Sequence, residues 1–476
     1  MRNYSLLAII LLFGGILQAQ EKKWSLEECV NYALENNISI KQSELDVELS
    51  DIEKKDAIGN FIPNLNAQAT NAWNTGLTQN VTTGILQNQT VRNFSANATA
   101  SLTLFDGLRN FKSLQRARLS RLASQYSLDK MKDDIALFVA DAYLQVLFNK
   151  QNLEVLKAQN EVTQQQLDRT GELVDAGVLP EGDLLEIRAS MADENQQMII
   201  AQNQIRISLI SLAQTLGIKD YESFDIEERD YDIIGNEMLD RSVYDIIERA
   251  KEERSEIKIA EANKDLAEQD VAISKGAYMP SLGAFFNYNT RESGQGRITG
   301  FSADGTFNTI GFVQETEQAV VTPNTVASVG APLPFFDQLS RNDGFSYGFQ
   351  LNIPILNGFA TRNQVRRNEV AVKRAEFNLE QAELDLEANV YQAYTDAKGA
   401  YESYEAALAA AEAQEKAFQY ANDRYDVGLT NAFDFNQAKV RYENAQREVL
   451  RAKYDYIFKL KVVELYFGVP VRDLKF

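Results

Sequence analysis

The chain contains no histidine, a single cysteine, eight prolines in 476 residues and no long apolar run after its first twenty positions. Without histidine there is no Ser-His-Asp or Cys-His nucleophile system, no histidine-bearing zinc site and no ordinary proton shuttle at neutral pH. The lone Cys29 has no intramolecular disulfide partner and no cysteine cluster around it. Carboxylate or lysine chemistry is all that remains, and among 68 acidic residues some carboxylate pair always exists without being specific. An enzyme is not expected, nor any cofactor or bound metal. Only 48 basic residues oppose the acidic ones, a formal charge of −20. Such a chain is a poor partner for nucleic acid, whose binding rests on neutralising phosphates.

What is present begins with "MRNYSLLAIILLFGGILQAQEKKW". Arg2 supplies a positive start, Leu6 to Leu17 an apolar run and Ala19 a small residue, the pattern of a secretory signal (1–19) cleaved after Ala19 or Gln20. Later segments stay below the roughly 18 apolar residues that a spanning helix needs. The nearest, "IALFVADAYLQVLF" at 135–148, carries Asp141 and Gln145 and reads as buried helix. If this chain lives in a membrane, strands must do the crossing.

The chain repeats itself. Gly107 and Gly358, Gly177 and Gly428, and Gly217 and Gly468 are each separated by 251 positions. Earlier landmarks keep a shorter offset of 217: Ser25 and Ser242, Gly59 and Gly276, and Pro63 in "FIPNL" with Pro280 in "YMPSL". A tandem duplication with 34 extra residues in its second copy explains both offsets. The first repeat spans 20–217, a connecting equatorial segment 218–241, and the second repeat 242–476. Each copy predicts the same order of elements: a helix (25–58; 242–275), two strands (64–74 and 94–105; 281–290 and 345–355), a long helix (108–170; 359–426) and a return helix (183–216; 434–467). The long helices approach about 90 Å at 1.5 Å per residue, with coiled-coil-like seams such as Tyr401, Tyr404, Leu408, Ala411 and Phe418.

The strands alternate with period two. Leu65, Ala67, Ala69 and Trp73 alternate with Asn66, Gln68 and Thr70, and Phe345, Tyr347, Phe349 and Leu351 repeat the pattern in the second copy. One face is apolar and the other polar without charge, as in a membrane barrel, although a half-buried soluble sheet shows the same alternation. The connections are polar and long, and 290–344 is expected to be an enlarged outer loop. Four strands cannot close a barrel, and an open sheet cannot leave its edges unpaired in lipid. Several copies of the chain would have to complete one.

Four strands, two long helical hairpins, duplication and a signal segment together resemble the outer membrane efflux protein family (the TolC type) over the whole mature chain. The stretches that carry the likeness are "IPNL" and "MPSL" before the odd strands, "IPILNG" closing the last strand, and the hairpin tips "DAGVLPEGD" and "RYDVGLTNAFD". The resemblance implies a mostly α fold with transmembrane β: a homotrimer forming a 12-stranded β-barrel and a periplasmic α-helical barrel. It also implies an outer membrane channel of a Gram-negative bacterium, the exit duct of a tripartite efflux or type I secretion system. Its partners would be outer membrane lipid, a periplasmic adaptor (membrane fusion protein) and an inner-membrane pump of RND or ABC type. The competing readings are a periplasmic adaptor, which needs one hairpin between compact β domains, and a coiled-coil scaffold without pore activity.

Candidate sites follow. Gly177 and Gly428 mark the hairpin-tip turns, and Gly107 and Gly358 the strand-to-helix junctions. Asp183 and Asp434, each six residues after a tip glycine, start "DLLE" and "DFNQ" and read as capping boxes. By resemblance they also ring a cation-attracting periplasmic entrance, with Tyr425 bonding Asp183 as a closure link. Thr430 and Gln437 stand where family members carry further gate residues. The basic residues opening the long helices, among them Arg109, Arg116, Arg362 and Arg367, are either a solvated helix face or a belt at the inner membrane interface. Trp73, Phe94, Phe105 and Phe345 are candidates for aromatic girdles.

Overall fold

The computed structural model describes residues 23–79, 86–229 and 238–469; the expected signal segment and its cleavage point lie outside them. The first half of the chain runs β1 (Lys23–Trp24), α1 (Leu26–Asn36), α2 (Ile38–Gly59), β2 (Asn64–Gln79), β3 (Leu86–Phe105), α3 (Arg109–Asp175), α4 (Glu181–Leu216) and β4 (Asp225–Ile226). The second runs α5 (Val243–Glu253), α6 (Ser255–Gly276), β5 (Ser281–Ser293), β6 (Arg297–Phe312), β7 (Ala319–Gly330), α7 (Phe335–Arg341), β8 (Gly344–Asn352), α8 (Ala360–Asp426) and α9 (Ala432–Tyr466). These elements fall into two compact units, one of residues 53–117 and 268–370 and one of 1–52, 118–267 and 371–476.

The first unit holds a four-stranded antiparallel sheet in the order β2-β3-β5-β8. Its register puts Leu65 opposite Ala100, Ala100 opposite Phe286 and Phe286 opposite Tyr347, so the apolar residues of all four strands share one face. That face is open: Trp73, Tyr347 and Phe349 are exposed. Asn66, Thr99, Asn287 and Ser346, equally in register, share the other. Strands β2 and β3 run longer than the expected 64–74 and 94–105, since Thr and Asn pair as readily as apolar residues where neither face is a core. Strand β8 stops at Asn352, short of the expected 355, because Pro354 has no N–H to give the ladder. The region 290–344, expected as loop, instead folds into an antiparallel β6–β7 hairpin and α7. Three register shifts and the interposed Gly300, Gly305, Gly311 and Pro323 hide its alternation from a period-two reading.

The junctions between sheet and helix use left-handed backbone. Gly107 and Gly358 have φ of 74° and 60°, and the next residues, Leu108 and Phe359, are left-handed too at 65° and 64°. The two are not equivalent. A Cβ on Gly107 would lie 2.2 Å from the carbonyl oxygen of Gly276, whereas one on Gly358 meets nothing within 4 Å. At the first junction, then, two backbones touch directly.

The second unit is helical. Among the described residues no helix is long and apolar enough to cross a membrane. Its largest core gathers Cys29 and Ala33 of α1, Val139, Tyr143 and Leu147 of α3, Leu212 and Leu216 of α4, and Ile226. Strands β1 and β4 pair in parallel beside it, and the Tyr143 hydroxyl donates to the Glu227 carbonyl at 2.9 Å. The single helix expected over 25–58 is broken at Asn37, whose backbone is extended and whose Oδ1 accepts from the Ser39 amide at 2.8 Å, starting α2 afresh. Its counterpart over 242–275 breaks at Arg254, at the same repeat offset of 217. Helices α3 and α8 have 67 residues each, and Gly399 sits within unbroken helix. At 1.5 Å per residue that is about 100 Å.

The inequality of the junctions is testable by thermal unfolding in detergent. Gly358→Ala is expected to cost about 1–2 kcal/mol for the left-handed backbone alone. Gly107→Ala should cost clearly more, because the methyl also strikes the Gly276 carbonyl. Equal losses measured on the dissociated single chain would refute the backbone contact.

Candidate functional site

At both hairpin tips the turn is built the same way. The Val178 amide reaches back to the Leu173 carbonyl at 2.8 Å, and the Leu429 amide to the Arg424 carbonyl at 2.8 Å. Each closes a helix through a left-handed glycine, Gly177 (φ 74°) or Gly428 (φ 72°), with an apolar residue next. The return helices start earlier than expected. Pro180 precedes α4 without any side-chain cap, and Asn431 caps α9 by accepting from the Asp434 amide at 2.8 Å. Asp183 and Asp434 are therefore not capping residues, and neither "DLLE" nor "DFNQ" is a capping box. Both lie in the first helical turn, where the N-terminal dipole favours a carboxylate. The Asp434 carboxylate accepts from Thr430 Oγ1 at 3.4 Å and is exposed.

Three links tie the end of α3 to the end of α8 within one chain. Gln166 Nε2 donates to Asn422 Oδ1 at 2.9 Å, Arg169 pairs with Asp426 at 3.0 Å, and the hydroxyls of Thr170 and Tyr425 lie 3.0 Å apart. Thr170 and Tyr425 are buried, and Tyr425 stacks on Phe435 with ring centres 5.0 Å apart. The expected Tyr425–Asp183 bond is thus replaced by a Tyr425–Thr170 bond, because Thr170 lies directly across the α3–α8 seam. Burial pushes the Tyr425 phenol up, and the nearby charges of Asp183 and Asp426 add to that. So the tips hold together through a neutral, buried contact with the charges around it.

Further along the same bundle lies a feature that sequence reasoning missed. Lys439 of α9, Glu194 of α4 and Glu443 of α9 are buried together, at 3%, 5% and 7% exposure. The Lys439 ammonium bonds Glu194 and Thr163 Oγ1 and lies 3.1 Å from Glu443 Oε1. Thr163 donates to Glu194 at 2.7 Å, and Asn160 donates to its other oxygen at 3.2 Å. Two carboxylates face one ammonium, and burial raises the Glu443 pKa, with Glu194 reinforcing it and Lys439 and Arg447 opposing. The signal was in the spacing: Ala432, Phe435, Lys439 and Glu443 follow one helical stripe, so a charged pair continues an apolar seam.

The junction residues lie in the other unit. Asp106 accepts from the Asn110 amide at 3.0 Å, opening α3, and Arg109 Nε donates to the Asp106 carbonyl at 3.2 Å. Arg116 pairs with Asp270 at 2.6 Å, Arg367 bonds Gln364, and Arg362 sits over the Phe359 ring at 6.0 Å. Arg109 and Arg116 are thus engaged within the chain while remaining partly exposed. Of the girdle candidates, Phe94 is taken by Phe335 of α7, ring centres 5.1 Å apart. No group of three residues able to hold a metal ion occurs among the described residues.

Both the duplicated hairpin architecture and the strand unit have known counterparts. The family model described as "Outer membrane efflux protein" matches residues 29–218 and 246–460. The chain belongs to the outer membrane efflux protein family. Outer membrane protein TolC of Vibrio cholerae serotype O1 is 23% identical over 346 residues, 72% of this chain and 68% of that protein. Protein CyaE of Bordetella pertussis is 24% identical over 365 residues, 76% of this chain and 68% of that one. The crystal structure of CusC, whose transmembrane channel formation it describes, shares the fold with a TM-score of 0.75 at 14% identity, covering 94% of this chain and 92% of CusC. As a family member the chain is an outer membrane protein of a Gram-negative bacterium and serves as the exit duct of an export system. Family and fold are those of channels, not enzymes, which also sets aside the adaptor and scaffold readings.

The buried triad carries a prediction with a definite sign. Lys439→Met leaves two buried carboxylates uncompensated and should cost about 3–5 kcal/mol. Because the Glu443 pKa is raised in the folded chain, its protonation favours the fold. That contribution is complete below the ordinary carboxylate value and is lost as pH rises through the raised one. Glu443→Gln should remove this pH dependence from urea unfolding curves; an unchanged dependence would exclude Glu443 as its source.

Proposed function

We propose that three copies of this chain form one channel, a 12-stranded barrel continued by an α-helical tunnel, docked through an adaptor to an inner-membrane pump of RND or ABC type. The observation that carries the reading is the sheet of the strand unit. It has an exposed apolar face over most of its length and, among the described residues, β2 and β8 as edge strands that join no further strand. Hydrocarbon accepts the face but not the edges. Joining β8 of one copy to β2 of the next, three times over, removes every edge, and twelve is an even strand number of the kind such barrels use. The polar face with Asn66, Asn287 and Ser346, and Arg291 toward the end of β5, then lines the lumen.

In this assembly the hairpin tips form the periplasmic entrance. Asp183 and Asp434 from each copy supply negative charge around the axis, which concentrates cations at the mouth. The Thr170–Tyr425 bond holds the two hairpins of one copy together, and opening the entrance requires parting it. The exposed arginines Arg362 and Arg367, with Arg109 and Arg116, lie just past the strand ends, at the level of inner-leaflet head groups. No cofactor takes part: the pump supplies the energy, and the duct supplies a sealed path.

The test is direct. The protein extracted in detergent should be a trimer by light scattering, resist SDS before boiling and conduct ions in planar bilayers. A water-soluble, non-conducting monomer would sink the proposal. In those bilayers Asp434→Asn should weaken cation preference, read as a reversal potential moving toward zero in a salt gradient. An unmoved potential removes Asp434 from the entrance.

A further inference from the structure

The β6–β7 hairpin belongs to the second repeat alone and has no role in the sheet. Its register sorts its side chains. Ile298 faces Val329, Phe307 faces Pro323 and Phe312 faces Ala319, so Ile298, Phe301, Phe307, Phe312, Val321 and Val329 share one side. All six are exposed, Phe301 at 69% and Phe312 at 70%. The reverse side carries Ser302, Asn308, Thr322 and Ser328 together with Val326. A two-stranded ribbon is at best marginally stable in water by itself, so this face calls for a cover.

Three observations select the cover. Among the described residues β6 and β7 pair only with each other, so the ribbon has two open edges. Hydrocarbon cannot satisfy them, which excludes lipid. The ribbon is also nearly free of charge: Arg297 and Asp304 are the only charged residues in β6, and β7 has none. In a chain with a formal charge of −20, this is a surface where two copies meet without repulsion. Finally, the ribbon leaves the sheet from a fixed point. Arg92 and the buried Glu292 pair at 2.7 Å at the end of β5, and the Gly294 amide bonds the Arg92 carbonyl at 2.7 Å. On the return side Phe335 of α7 packs on Phe94, and Gln338 bonds Ser293 through both its amide oxygen and its amide nitrogen, each at 3.1 Å.

We propose that the β6–β7 ribbons of neighbouring copies pack apolar face to apolar face, making a second interface between copies beyond the barrel. The proposal rests on the trimeric reading above. In one barrel three ribbons spring from the same rim, where tethering gives a local concentration in the millimolar range. The occupant of the face is the ribbon of another copy, which is present at every such rim.

Cysteine cross-linking of the full chain in detergent tests this, since the native Cys29 is fully buried and leaves a silent background. Phe307→Cys on the apolar side is compared with Asn308→Cys on the reverse, each treated with a short bis-maleimide, while light scattering reads the oligomer. The expected result is a cross-linked dimer band for Phe307→Cys at least about tenfold stronger than for Asn308→Cys. A trimer without Phe307→Cys cross-links, or with equal cross-linking from both sides, overturns the ribbon interface and leaves the channel reading standing. A monomer defeats the channel reading and the ribbon interface with it. In parallel, Phe301→Ser with Phe312→Ser should lower the temperature at which the SDS-resistant trimer dissociates; an unchanged temperature also overturns the proposal.

Discussion

A backbone N–H or C=O left unpaired in hydrocarbon costs several kcal/mol, and most of this structure follows from that one penalty. It forbids the four-stranded sheet from standing alone in lipid, although its exposed apolar face suits nothing else. The four strands share one polarity, with Leu65, Ala100, Phe286 and Tyr347 in register on one face and Asn66, Thr99, Asn287 and Ser346 on the other. The helices obey no such demand. With water on their outer surfaces, α3 and α8 carry charges along most of their length and reserve burial for narrow seams.

Those seams are unusually polar. The tips are joined by amide, hydroxyl and ion-pair contacts beside a small apolar cluster of Ile187, Tyr425, Ala432 and Phe435, and farther up the bundle a lysine and two glutamates share one buried site. Buried polar groups hold one geometry strictly and tolerate few others, since any slippage strands a charge. Apolar seams would let the helices slide; these seams are either matched or broken.

The duplication was readable because glycine and proline punctuate it at constant offsets, and long helices between them leave little room for another reading. The open apolar face was likewise legible, because alternation survives in Leu65 to Trp73 and in Phe345 to Leu351. What escaped notice did so for physical reasons. At the helix breaks Asn37 also bonds the Thr215 carbonyl and Arg254 bonds Asp133, tertiary contacts that no local pattern announces. The β6–β7 hairpin is disguised by bulges. Tyr425 bonds Thr170 and not Asp183: a phenol's reach is evident from the sequence, but which helix lies across the seam is not.

The contact between Gly107 and Gly276 bears on how the two halves of the duplication change together. Where two main chains touch, neither position can accept any other residue without the opposite one yielding, so the pair is frozen as a unit. Within one chain Gly358 has open space about it and keeps only its backbone conformation as a restraint. The contact joins the first repeat, through Gly107, to the second, through Gly276, so at this point neither copy can change without the other.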